Sequence, residues 1–135
     1  MKQHTVLIID DNREFGFILT KKISLVDNKV HTLFMDDAAE ALEYLGNVPK
    51  DLFPHMIFLD LHMPGISGLK FLEHFEKILM KTGAKTKVVI LTSSTSERVK
   101  QSVSHYDFIL DYLYKPVDIE KVMPLIKGVT SSIGK

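Results

Sequence analysis

The sequence predicts an α/β domain on a mostly parallel sheet, and three observations carry that expectation. Short continuous apolar runs alternate from end to end with stretches of helical spacing. The first, third and fourth runs are apolar inside, with polar residues collected at their ends, as in strands buried on both faces. At 135 residues, 45% hydrophobic and 25% charged, the chain suits one compact unit over residues 1–135, with little room for a second.

The elements follow in order. "TVLII" (5–9) reads as the first strand and runs straight into Asp10 and Asp11. Phe15, Ile18, Leu19 and Ile23 then recur at helical spacing, with Asp11 and Asn12 where an N-cap belongs. "VHTLFM" (30–35) is the second strand, and Asp37 is placed to cap a helix carrying Ala38, Ala41, Leu42 and Leu45. "GNVPKDLFP" (46–54) is the longest expected irregular loop. "HMIFLD" (55–60) is the third strand, and Leu69, Leu72, Phe75, Leu79 and Met80 stripe a third helix closed by Gly83. "KVVILT" (87–92) is the fourth strand, followed by Ser96 as a cap and a short helix with Val99 and Val103. "DYLYK" (111–115) is the fifth strand, and Asp118 opens a last helix with Ile119, Val122, Met123 and Ile126. Pro124 has no N–H to give Glu120, so this helix is expected to kink or start late. The Ser-containing tail, 130–135, is expected to fray.

Composition excludes several functions. Seventeen Lys plus Arg balance seventeen Asp plus Glu, which argues against the basic surface that direct nucleic-acid binding needs. There are no cysteines, hence no disulfide, thiolate metal site or Cys nucleophile. No apolar run approaches a membrane span of roughly 20 residues and no leader pattern precedes the first strand, so no membrane insertion and a cytoplasmic location are expected. Lys77, Lys81, Lys85 and Lys87 read as a solvated helix end.

In a parallel sheet the carboxyl ends of the strands share one edge, where open α/β folds bind ligands. That edge should hold Asp10, Asp11, Asp60, Thr92 and Lys115. Taken singly, each has a plain structural reading: a helix cap, a turn former, a helix approach, a solvated strand end. Together, three close carboxylates would raise one another's pKa values unless a cation sat among them. Mg²⁺ suits such a site, since it accepts one or two carboxylates, a carbonyl and waters while leaving room for phosphate oxygens. A carboxylate so placed, with an ammonium and a hydroxyl in reach, is arranged to accept a phosphoryl group as an aspartyl phosphate.

The motifs "IIDDN", "LDLHMPGISG", "ILTSS" and "YLYKP" stand in that order at strand ends, and over essentially its whole length the chain resembles the response-regulator receiver domain of two-component signalling. The resemblance implies a flavodoxin-like, doubly wound sheet of five parallel strands in the order 2-1-3-4-5 with five helices. It implies Asp60 as phosphoacceptor and a Mg²⁺ site of Asp11 directly, Asp10 mainly through water, Asp60, and the backbone carbonyl of His62. Lys115, Thr92 and the Ser93 backbone would contact the phosphoryl group. Thr92 and Tyr112 would be the switch pair, the ring moving inward as Thr92 moves, and the Lys115–Pro116 bond would be cis. The implied partners are a histidine kinase or histidine phosphotransfer protein and a downstream protein target, with a homodimer through the fourth helix, fifth strand and fifth helix compatible with the pattern. It would be a stand-alone, chemotaxis-receiver-like switch that catalyses only its own phosphorylation and dephosphorylation.

His62 and Ser94 occupy positions that tune phosphate loss in the family; a solvent-facing loop histidine is the alternative for His62. Phe108 and Ile109 replace a common Gly-Ala pair, a departure that bears on the usual tight packing of the loop after the fourth helix. A haloacid-dehalogenase-like phosphatase would need D-x-D after the first strand, which "IIDDNRE" lacks. A flavin site would need a phosphate-binding loop there, where "DDNREF" would repel a phosphate. A non-phosphorylated pseudo-receiver usually lacks the acidic pair, acceptor or lysine, and all are present.

Overall fold

The computed structural model describes residues 4–63, 65–93 and 97–133. Five parallel strands, β1 (His4–Ile9), β2 (Val30–Met35), β3 (Met56–Asp60), β4 (Lys87–Thr92) and β5 (Ile109–Tyr114), form one sheet in the order β2-β1-β3-β4-β5. Between and after them run α1 (Arg13–Val26), α2 (Ala38–Asn47), α3 (Gly68–Thr82), α4 (Glu97–Val103) and α5 (Ile119–Ile133). Alternate residues of β1 and β3 divide between two cores. Leu7, Ile9, Ile57 and Leu59 meet α2 and α3, whereas Val6, Ile8, Met56 and Phe58 meet α1 and α5. This is the doubly wound flavodoxin-like arrangement. Among the described residues no helix is long and apolar enough to cross a membrane.

Local chemistry sets the element ends. Asn12 caps α1 by accepting from Phe15 N–H, Asp37 caps α2 by accepting from the N–H groups of Ala39 and Glu40, and Asp118 Oδ1 accepts from Glu120 N–H at the start of α5. Gly83 ends α3 at φ 73°, a left-handed conformation that suits glycine. The proposed Ser96 cap lies outside the described residues.

Several expectations change. α5 begins at Ile119, before Pro124, so the proline causes no late start, and its backbone is helical to Ile133. The 46–54 segment is partly ordered, because α2 reaches Asn47 and a turn of 3-10 helix covers Lys50–Leu52. β5 begins at Ile109, with a register shift between Val88 and Val89 that places Ile109 opposite Val88 and Asp111 opposite Val89. Phe108 does not loosen its surroundings. It is buried, stacked on Tyr106 with ring centroids 5.1 Å apart and edge-on to Phe75 at 5.4 Å, so an aromatic cluster fills the space.

The sheet geometry delivers the polar edge. Beyond the strand ends, Asp10 N–H donates to Met35 C=O at 3.1 Å and Lys115 N–H donates to Thr92 C=O at 2.9 Å, so both residues are still held by the ladder. After β3 the chain must return closely: Gly68 N–H donates to Leu61 C=O at 3.1 Å, and a Cβ on Gly68 would lie 2.5 Å from Leu61 Cα and 3.1 Å from Asp60 O. Backbone cannot yield as a flexible side chain can. Gly68→Ala is therefore expected to destabilise the fold by about 1–3 kcal/mol in urea unfolding, whereas Gly46→Ala, where a Cβ meets nothing within 4 Å, should not.

Candidate functional site

Three strand ends converge on one charged cluster. Asp10, fully buried, follows β1; Asp60, 5% exposed, closes β3; Lys115 follows β5. Lys115 Nζ lies 2.6 Å from Asp10 Oδ2 and 3.4 Å from Asp60 Oδ2, with its side chain 22% exposed. The other oxygens are held by backbone: Asp10 Oδ1 accepts from Asn12 N–H and Asp60 Oδ1 from His62 N–H, each at 2.9 Å. Asp11 is exposed, yet one ligand atom each of Asp10, Asp11 and Asp60 can be chosen so that all lie within 4.8 Å of one another.

The electrostatics follow from that crowding. Burial pushes the Asp60 carboxyl above its ordinary value of 3.8; the His62 N–H opposes this, Asp10 adds to it, and Lys115 opposes it. For Lys115 burial works against the charged form, but the hydrogen bond and charge of Asp10, joined by Asp60, outweigh it and the pKa is raised. The donor set fits Mg²⁺: three carboxylates, all hard oxygen ligands, carry more negative charge than the Lys115 ammonium offsets. Asp10, Asp11 and Asp60 are the residues that would hold it.

The remaining predicted residues divide. Thr92 ends β4, 2% exposed, and Ser93 follows it exposed. His62 is exposed and meets the cluster through its N–H. Tyr112 is half-buried and its hydroxyl donates to Lys100 C=O at 3.4 Å, some way along the sheet from the carboxylates. The Lys115–Pro116 bond is cis. Ser94 lies outside the described residues.

The geometry also brings in residues that motif reading left out. Phe15, assigned from its spacing to the core stripe, has its ring 4.6 Å from Lys115 Nζ. Arg13 Nε donates to Asp36 Oδ2 at 2.6 Å, tying the start of α1 to the end of β2. Lys100 Nζ lies 5.7 Å and 5.3 Å from the rings of Tyr112 and Tyr114. A lysine followed at a distance by Tyr-x-Tyr carries no spacing rule, because the contact crosses from α4 to β5.

An acidic pair after β1, a buried Asp ending β3 and a lysine after β5 meet at the carboxyl edge of a 2-1-3-4-5 sheet, and the response regulator receiver domain family matches residues 6–127. The chain belongs to that family. This receiver is 26% identical over 129 residues to an uncharacterized response regulatory protein of Shewanella oneidensis, an alignment covering 96% of this chain and 50% of that one. It is likewise 26% identical over 132 residues to the DNA-binding transcriptional regulator NtrC of Escherichia coli, covering 97% of this chain and 26% of NtrC. The receiver thus spans about half the length, or less, of such curated relatives. Among solved structures, a two-component response regulator from Cytophaga hutchinsonii superposes with TM-score 0.81 at 25% identity, covering 97% of this chain and 99% of that one. The receiver domain of Ssk1, crystallised with the histidine phosphotransfer protein Ypd1 of Saccharomyces cerevisiae, belongs to a structure matching at TM-score 0.76 and 26% identity over 94% of this chain and 88% of that one.

The raised Asp60 value has a signed consequence. Between the ordinary value of 3.8 and the raised one, the folded state binds more protons than the unfolded chain, so metal-free stability falls as pH rises through that window. Asp60→Asn should abolish this component and raise the melting temperature at neutral pH in chelator. Lys115→Met should act oppositely, costing about 3 kcal/mol by leaving Asp10 without its cation. Melting curves across pH for the three proteins check both signs.

Proposed function

We propose that this receiver is a phosphorylation switch in which Asp60 takes a phosphoryl group from a phosphohistidine on a histidine kinase or histidine phosphotransfer protein. The observation that carries the reading is the placement of Asp60: buried, one oxygen fixed by His62 N–H, the other facing Lys115 beside two further carboxylates. An Asp60 oxygen forms the new bond to phosphorus while the phosphorus–nitrogen bond to the donor imidazole breaks and the nitrogen keeps the electron pair. Asp11 would hold the metal directly and Asp10 mainly through water, with Asp60 and the His62 backbone carbonyl completing the set. Mg²⁺ held there would supply positive charge to offset that of the incoming phosphoryl group. Lys115 exchanges carboxylate for phosphoryl oxygen, and the Thr92 hydroxyl and Ser93 N–H donate to the same group.

The transferred charge would bias a two-state element made of Thr92, α4 and Tyr112, changing the surface of α4, β5 and α5 that meets a downstream protein or a second copy. Complete inversion from 1:99 to 99:1 needs about 5.5 kcal/mol of differential stabilisation, so partial activation before phosphorylation is compatible with it. The switch catalyses only its own phosphorylation and dephosphorylation, with exposed His62 beside the acceptor placed to affect attacking water.

A protein donor also needs a docking face. α1 starts beside the cluster and turns Phe17, Ile18 and, near its other end, Leu25 to solvent, 71%, 49% and 78% exposed, interleaved with Lys21 and Lys22. Apolar exposure of that extent on one helix marks a contact surface, and it supports a protein donor over a small-molecule one alone.

Intact mass after incubation with acetyl phosphate and Mg²⁺ should show one added phosphoryl group on wild type and none on Asp60→Asn. Absence of the gain in wild type, or an equal gain in the variant, would overturn the assignment; multiple turnover on phosphate esters would favour a phosphatase. In Mg²⁺ titrations Asp11→Ala should weaken binding more than Asp10→Ala. Phe17→Ser combined with Ile18→Ser should slow transfer from a phosphorylated phosphotransfer protein at least tenfold, an estimate of roughly 1.4 kcal/mol or more of lost docking, with acetyl phosphate reactivity retained.

A further inference from the structure

Phe15 sits on the side of α1 that joins the core between α1 and α5. Packing alone does not account for what its ring touches. Lys115 Nζ stands 4.6 Å from the ring centroid, within the range where a cation is attracted to the negative face of an aromatic ring. The same ammonium lies 2.6 Å from Asp10 Oδ2 and 3.4 Å from Asp60 Oδ2. An ammonium has three donors. Two carboxylates draw it one way, and the ring shields a further side where water would otherwise compete.

Both ends of this contact are anchored by backbone. Phe15 N–H donates to Asn12 Oδ1 at 3.0 Å, which sets the first turn of α1. Its neighbour Gly16 lets that turn approach β2 closely, since a Cβ there would lie 2.1 Å from Phe34 Cε1. At the other end, Lys115 N–H is bonded to Thr92 C=O at 2.9 Å. Only the four-carbon stem of Lys115 is left to choose a direction. Such a stem is flexible and its ammonium strongly hydrated, so an orienting surface matters more than it would for a rigid guanidinium.

Resting on the reading of Asp60 as phosphoacceptor, we propose that Phe15 is a positioning residue for Lys115, its ring face holding the ammonium in the pocket while the lysine exchanges Asp10 for a phosphoryl oxygen. A ring accepts no strong hydrogen bond from the lysine and so competes with neither anion. Its attraction persists whichever anion the lysine contacts, which lets Lys115 change partners without swinging into solvent.

The test uses the full chain as wild type, Phe15→Leu and Phe15→Tyr, each also combined with Lys115→Met; Phe15→Met replaces the leucine variant should that fail to fold. In metal-free protein, protons above a ring face are shielded, so the Lys115 ε-methylene resonances should lie upfield in wild type and Phe15→Tyr and return to ordinary lysine positions in Phe15→Leu. With acetyl phosphate and saturating Mg²⁺, Phe15→Leu should accept phosphoryl about fivefold more slowly, as expected for a partly desolvated cation–ring contact, and Phe15→Tyr should match wild type. In the Lys115→Met background the leucine substitution should cause no further slowing. Unshifted Lys115 resonances in wild type, equal rates for Phe15→Leu and wild type, or the same slowing without Lys115 would each overturn the proposal while leaving Asp60 as acceptor. Failure of wild type to gain a phosphoryl group would remove the underlying reading and the proposal with it.

Discussion

Two carboxylates buried against a single ammonium, Asp10 and Asp60 on Lys115, are the constraint around which the carboxyl edge of this sheet is organised. Charges at this depth are costly unless paired and hydrogen-bonded, and the fold meets that condition with backbone. Ladder bonds continue past β1 and β5 to fix Asp10 and Lys115, and Asn12 and His62 donate to the oxygens that face away from the lysine. The ammonium reaches from the edge strand across β4 to β3 and β1. One ion cluster therefore joins three strand ends that no loop connects directly.

The pairing is incomplete by construction. With Asp11 at the mouth, three carboxylates share one close ammonium among the described residues, and burial leaves Asp60 holding its proton more tightly than a free aspartate. Structural stability alone would be better served by fewer acids. The excess negative charge is instead consistent with the proposed divalent cation and with a phosphoryl group that replaces one anion–lysine contact by another. Phe15 belongs to this picture because it attracts the ammonium without competing for its hydrogen bonds.

How much was legible in the sequence depends on whether neighbours in space were neighbours in pattern. β2 and β4 match their apolar runs residue for residue, since each run has polar or turn residues on both sides. β5 starts two residues before the "DYLYK" run, at Ile109, through a register shift beside Val88 that no local sequence pattern announces. Pro124 argued locally against continuous helix, and burial of Val122, Met123 and Ile126 against the sheet overrode it. The acids, Thr92 and Lys115 were readable because strand ends in a parallel sheet converge by topology. Phe15, Phe108 and Lys100 were not, because their roles are cross-element ring contacts that leave no periodic trace.

The most direct test of the central claim is thermal unfolding of the wild-type chain as Mg²⁺ is added at constant ionic strength. A carboxylate cluster completed by a cation in the folded state alone should give a melting temperature that climbs with the logarithm of Mg²⁺ concentration, with stabilisation near 2.7 kcal/mol at about a hundredfold excess over the dissociation constant. The climb should be lost when Asp11 and Asp60 are both replaced by Asn. A wild-type melting temperature indifferent to Mg²⁺, or a climb that survives the double substitution, would contradict the claim.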